Sequence, residues 1–227
     1  PGMRLKRLEI HDLRCFRGRR VFDFTDPASG APRDRVVFVG SNGSGKTTLF
    51  DAIEGLLRLL LDPARPAPLL LEAGLVALTI EVAGRGGGPD ADATPDELTI
   101  ACGSRAYVDN PKNRWPQHLY SLKQSGSGGK RSRSSTALAA TLQQQVEDMH
   151  EGRQSLVGGL LYFPENRELR PHGGGAIQPP PEERTWVMRY EPGTSWQGSL
   201  EQLWVWEDYR DLTASRRGEA STKLPQA

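Results

Sequence analysis

The chain has 227 residues, with 29 Lys and Arg against 28 Asp and Glu for a net charge of +1. That length suits one large domain or a domain with an appendage, and the near-neutral balance excludes a chain-wide polyanion binder, so any basic surface must be local. Hydrophobic residues make up 37%, and the remainder is rich in Gly (25) and Pro (17), which predicts a real core joined by long loops.

Two cysteines, Cys15 and Cys102, lie far apart in sequence. They form neither a metal-ligand spacing nor a CxxC pair, which fits a reducing, cytoplasmic setting. There is no signal-peptide pattern and no apolar run of about 18 residues, so no membrane partner is expected. The opening Pro1-Gly2 reads as an expression remnant ahead of a natural Met3.

In chain order, 3–10 alternates apolar Leu5, Leu8 and Ile10 with charged residues and predicts a half-buried strand. Residues 19–24 predict a second strand, with Val21 or Phe22 and Phe24 facing inward, reached through a turn over 11–18. Residues 26–34 are a surface loop. The run "RVVFVG" over 35–40 predicts a strand covered on both faces. From Lys46 to Leu61, apolar residues recur at three- and four-residue steps and predict one helix ended by Asp62-Pro63.

Residues 64–68 read as a linker, and 75–84 and 96–103 as two strands of a hairpin with a long loop. Residues 124–135 are low in complexity and read as a flexible loop. A helix over 135–152 has a Ser/Thr cap candidate. Residues 156–164 suggest another buried strand, 170–183 another loop, and 199–218 an amphipathic helix.

Between the run at 35–40 and the helix stands Gly40-Ser41-Asn42-Gly43-Ser44-Gly45-Lys46-Thr47, a GxxxxGK[ST] loop. The glycines let successive backbone N–H groups turn inward around a phosphate, and the helix brings its positive dipole end to the same anion. Lys46 supplies a mobile charge for the outer phosphates, and the Thr47 hydroxyl can ligate Mg²⁺ through the nucleotide. Thr48 completes the residues assigned to ATP. A GTPase would need Asn-Lys-x-Asp after the loop, and none occurs.

Two stretches carry a family resemblance. "LKRLEIHDLRCFRGRRVFDF" precedes the loop, and "VVFVGSNGSGKTTLFDAIEGLL" contains it. Together they resemble the SMC/RecF-like branch of ABC-type ATPases, in which a strand and a "hxNFRxF"-like turn lead to a second strand and then "GxNGxGKTTLhxAI". Asn42 and the Leu49, Ala52, Ile53 spacing fit that pattern, while Leu13 stands where Phe is commoner. Residues 160–169 are similar to a strand and turn of AAA_21-type members and relatives of the overcoming-lysogenization-defect nucleases. The resemblance covers 3–62 strongly and 155–210 loosely.

What the resemblance implies is an α/β fold of the P-loop NTPase kind. It would be lobe I of an ABC-type head, with an N-terminal antiparallel β-subdomain and a mixed or parallel core sheet flanked by helices. It also implies that Arg14 approaches the nucleotide phosphates. Pro164 to Arg167 occupies the place of the family's Q-loop without a glutamine.

Hydrolysis in that family needs four apolar residues followed by Asp-Glu, to hold Mg²⁺ and orient water. The nearest string, "LWVWED" at 203–208, has its acids reversed and lies on a helical pattern. No LSGGQ-like signature occurs; "SGSGG" at 125–129 reads as linker. The expectation is therefore an N-terminal half. Residues 3–198 would form the head portion, and 199–227 a helix leading to an absent helical insertion and C-terminal half. Catalytic residues stay unassigned.

On this reading ATP is sandwiched between two heads, with bacterial DNA repair or anti-phage defence as the setting. DNA is a partner by resemblance only, since the basic clusters at 4–7 and 129–133 are too short to show it. Residues 184–190 and the 199–218 helix are candidates for an aromatic partner surface. Two alternatives stay open. One is a self-contained P-loop phosphotransferase or small NTPase, with Asp51, Glu165 or Asp208 holding Mg²⁺. The other is a non-hydrolysing ATP-sensing module.

Overall fold

The computed structural model describes residues 3–82, 96–108, 110, 115–122, 133–150, 160–162, 187–189, 208–210 and 212–213. Alternating polarity at the N-terminus builds β1 (Met3–Leu13), which turns at Arg14-Cys15 into β2 (Phe16–Asp23). Both strands run further into the turn than the expected 3–10 and 19–24. Asp12 makes this possible: it takes a positive φ of 51° and accepts the Gly18 N–H at 2.8 Å, closing the bend with one side chain.

Then follow α1 (Lys46–Arg58), α2 (Pro68–Glu72), β3 (Leu75–Val82), β4 (Asp96–Gly103), α3 (Arg105–Val108), β5 (His118–Leu122), β6 (Arg133–Ser135), α4 (Ala137–His150), β7 (Leu160–Tyr162) and β8 (Val187–Arg189). One six-stranded sheet has the order β2-β1-β3-β4-β5-β6. Its pairs are antiparallel except β4 with β5, which are parallel. A separate parallel pair joins β7 to β8. The result is α/β with a mixed sheet, compatible with a P-loop NTPase.

One face of the sheet holds the main core. Leu8 and Ile10 of β1, Val76, Leu78 and Ile80 of β3, and Leu98, Ile100 and Cys102 of β4 are all fully buried there. They pack with Leu49, Ala52, Ile53, Leu56 and Leu57 of α1. Period-two residues meet a period-3.6 stripe, so α1 is pinned by its apolar face across the sheet. Phe24 is buried and Phe22 partly so, which resolves the inward face of β2 against Val21, 44% exposed.

The α-helix stops at Arg58, four residues before the Asp62-Pro63 expected to end it. Leu59 and Leu60 bond instead to Leu56 and Leu57, three residues back, as the last turn tightens. The linker expected over 64–68 holds for 64–67 and ends at Pro68, which opens α2 because at the first turn it lacks only an N–H that would be orphaned anyway. The span read as a flexible loop over 124–135 ends in β6; its remainder lies outside the described residues. β5, in a stretch for which no strand was expected, pairs β4 through five residues. The Thr136 hydroxyl bonds to His118 of β5, so the cap candidate serves the sheet.

The other face carries a charged cluster. Glu9, almost fully buried, accepts from Arg19 Nε and Nη2 at 2.9 Å, from Arg7 Nη2 at 2.9 Å, and shares a hydrogen bond with His11 Nε2 at 2.8 Å. Burial alone would push its carboxyl up, but the bonds from Arg19 and His11 and the charges of Arg19 and Arg7 outweigh it. They hold Glu9 below the ordinary carboxylate value of 4.5. A depressed folded pKa adds stability above the unfolded value, and that stability is lost as pH falls through the folded one. Acid titration from neutrality should therefore lower the urea midpoint below about pH 4.5. Glu9→Gln should flatten that leg, and an unchanged acid leg would show that the cluster contributes nothing.

Candidate functional site

The loop over 40–47 runs into α1, and its conformation depends on glycine. Gly43 has φ 80° and Gly45 has φ 97°, both in the left-handed region. A Cβ on Gly43 would meet nothing, whereas one on Gly45 would lie 2.5 Å from Phe16 Cζ and 2.6 Å from Cys15 Sγ. Gly45 is thus both the helix cap and the seat for the β1–β2 turn.

No side chain caps α1, and no acid stands in its first turn. The first helical hydrogen bond is Leu49 N–H to Gly45 O at 2.9 Å, so the amides of Lys46, Thr47 and Thr48 precede the helical ladder. Donors of this kind, at a helix start with no carboxylate to neutralise them, favour an anion. Lys46 Nζ reaches back across the loop and donates to Gly40 O at 2.8 Å and Ser41 O at 2.9 Å. The ammonium is therefore held over the loop by two weak neutral acceptors, which phosphate oxygens would outcompete. Ser41 to Ser44 and Thr47 are exposed, and Thr48 is buried under the helix start. The set Gly40, Ser41, Asn42, Gly43, Ser44, Gly45, Lys46, Thr47 and Thr48 lies on one continuous loop and first turn, and its donors fit a phosphate chain with Mg²⁺ beside Thr47.

The strand expected over 35–40 is a correction. The segment carries no strand pairing among the described residues, and Val37 and Val39 are 82% and 92% exposed. A central parallel strand needs a hydrogen-bonding neighbour on each side, and the described residues provide none. Phe38 is anchored, edge to face with Phe22, Phe24 and Phe50 at centroid distances of 6.4, 5.9 and 5.3 Å.

Arg14 stands in the β1–β2 turn at φ 52°, uncommon for a residue with a side chain. The next two residues touch Gly45, so Arg14 borders the loop. Its guanidinium, however, bonds Glu72 at the end of α2, through Nε at 3.1 Å and Nη2 at 3.4 Å. This pair, with some help from Asp51, raises the Arg14 pKa above its ordinary value.

Of the acids considered for Mg²⁺, Asp51 accepts the Tyr162 hydroxyl at 3.0 Å, tying β7 to α1, while Phe50 stacks on the same ring. Asp208 is exposed on residues 208–210, which are helical. Glu165 lies outside the described residues, as do 125–129, 164–167, 184–186, 190 and 199–207. Among the described residues no three of His, Cys, Asp and Glu come together to hold a metal. Neither cysteine forms a disulfide; Cys15 is exposed and Cys102 buried. No helix of the described residues is long and apolar enough to cross a membrane.

Sequence reasoning missed Glu72 as the partner of Arg14 and Tyr162 as the partner of Asp51. Each comes from a segment far away in sequence.

A family model for an AAA domain matches residues 7–60. The matched stretch contains β1 from Arg7, β2, the loop and α1, so it coincides with the assembly just described. No curated protein matches the chain. Over those residues the match indicates an AAA-type, ATP-binding P-loop ATPase domain, of the kind that uses nucleotide together with Mg²⁺.

Proposed function

We propose that this chain is the nucleotide-binding, N-terminal portion of an SMC/RecF-like ATPase head, acting in the bacterial cytoplasm in DNA repair or anti-phage defence. Residues 3–198 form the head portion, and 199–227 lead to the remainder. The observation that carries the reading is the cradle at the start of α1. Uncapped amides, two left-handed glycines and the Lys46 ammonium converge on one small, exposed region. Bound Mg²⁺ would polarise the outer phosphates. The chain's own residues orient them through the amides of 43–48 and balance their charge through Lys46.

Support for a separate hydrolytic half comes from the segment at 35–40, which has no strand partner among the described residues. Val37 and Val39 face outward, and an open apolar groove of about 550 Å³ runs beside Val36, Phe38, Phe50 and Tyr162. Two flanking strands from a C-terminal half would complete a parallel sheet there and bring the acidic pair that activates water. Head pairing and DNA contact belong to the same proposal.

The test is calorimetric titration with MgATP. Lys46→Ala should weaken binding roughly a hundredfold, the loss of one or two charge-assisted bonds, while leaving the melting temperature unchanged. Turnover should appear only when a downstream half is supplied. Turnover by this chain alone, lost in Lys46→Ala, would favour the self-contained NTPase reading. Binding with no turnover in either case would favour an ATP sensor.

A further inference from the structure

We propose that Glu72 is a latch that holds Arg14 away from the phosphate loop, so that nucleotide must break an ion pair to recruit this arginine. The proposal rests on the nucleotide-binding reading above and assigns a regulator to the same site.

Its geometry comes from two anchored segments. α2 is fixed by buried Leu69 and Leu70. Just past its end, Gly74 N–H donates to His11 O of β1 at 2.8 Å. Glu72 therefore sits two residues before this anchor and Arg14 three residues after it, facing each other across the join. On the opposite side of Arg14, Cys15 and Phe16 lie against Gly45, the last residue of the loop before the helix. The arginine thus holds the Glu72 carboxylate, while the residue after it packs against the last step of the cradle, where a bound phosphate would offer a second anion.

The pair is suited to exchange. Both side chains are about half exposed, at 48% and 49%, so parting them strands no buried charge. The bonds are long, 3.1 and 3.4 Å, where a well-formed guanidinium–carboxylate fork is nearer about 2.8 Å. An exposed carboxylate is a weak competitor, whereas a polyphosphate beside Lys46 and the helix start offers more charge and more acceptors. The left-handed backbone at Arg14 is determined by the turn around it, from the Asp12 clasp on Gly18 to the packing of Phe16. Exchange then needs only side-chain rotation, with the backbone already set.

Glu72 is therefore a positioning residue whose removal should strengthen binding. Four forms are titrated with MgATP: wild type, Glu72→Gln, Arg14→Ala and the double variant. Glu72→Gln should tighten Kd by about three- to tenfold, the release of one weak charge-assisted pair. Arg14→Ala should weaken it, and Glu72→Gln should have no effect in the Arg14→Ala background. That last result separates a latch from simple loss of a negative charge near an anion site, because loss of charge alone would tighten binding in both backgrounds. Equal tightening with and without Arg14 overturns the latch, as does binding by wild type and Glu72→Gln with the same Kd. If neither form binds while both melt normally, the nucleotide-binding reading itself falls and takes the latch with it.

Discussion

Gly45→Ala is expected to lower the stability of the protein by about 2–5 kcal/mol and to cost most of its nucleotide affinity. Two strains add. A side chain at φ 97° leaves the favourable backbone region at a cost of about 1–2 kcal/mol. The new Cβ would also overlap the Phe16 ring and the Cys15 sulfur, and overpacking of that kind costs about 1–3 kcal/mol. The turn or the helix start must shift, which misaims amides worth roughly 1.5–3 kcal/mol each toward a charged ligand. Gly43→Ala is the internal control. It carries a similar φ of 80° but open space around it, so only the backbone cost of about 1–2 kcal/mol remains. Urea midpoints for the two variants decide the matter: equal losses would mean that the β1–β2 turn does not rest on the loop.

Leu56→Ala should be the costliest single truncation of α1, at about 2–5 kcal/mol and roughly 5–15 °C in melting temperature. Leu56 is fully buried in the core formed by the helix and the sheet, so the cavity has rigid walls on both sides. It is also two turns from the phosphate loop. MgATP affinity measured well below the transition should accordingly match wild type, because the substitution weakens the scaffold without touching the donors. Leu212, 63% exposed, is the comparison. Its truncation should stay within about 0.5 kcal/mol. A Leu56→Ala protein as stable as wild type would show that α1 is not held by its apolar stripe.

The local parts of this molecule were legible in its sequence because local chemistry dictates them. Residues 3–10 show their alternation, 75–84 their apolar run, and α1 its three- and four-residue steps. The loop at 40–47 shows its glycines and its lysine. Three things were not legible, each for a physical reason. The run at 35–40 has the composition of a covered strand, but covering depends on neighbours, and composition cannot state whether neighbours are present. α2 hides behind Pro66 and Pro68, which read as breakers until one of them serves as a helix start. β5 and β6 are short, and their pairing is set by partners that precede or follow them at a distance.

At the site, the glycines and the lysine of the loop were visible, and resemblance alone implied a phosphate contact for Arg14. Its observed partner, Glu72, was not legible. Glu72 belongs to no pattern; the burial of Leu69 and Leu70 and the Gly74–His11 bond bring it opposite the turn.

The bare stretch ahead of the cradle also governs how the protein behaves in a test tube. Val36 to Val39 is β-branched and aromatic, contains no proline, and leaves its backbone amides and carbonyls without partners among the described residues. Such a template recruits a second copy of itself edge to edge, and the growth of such stacks scales with concentration. Arg33, Asp34 and Arg35 stand immediately before it as charged gatekeepers. Purified alone, the chain should keep best dilute and at low ionic strength, where those charges still repel.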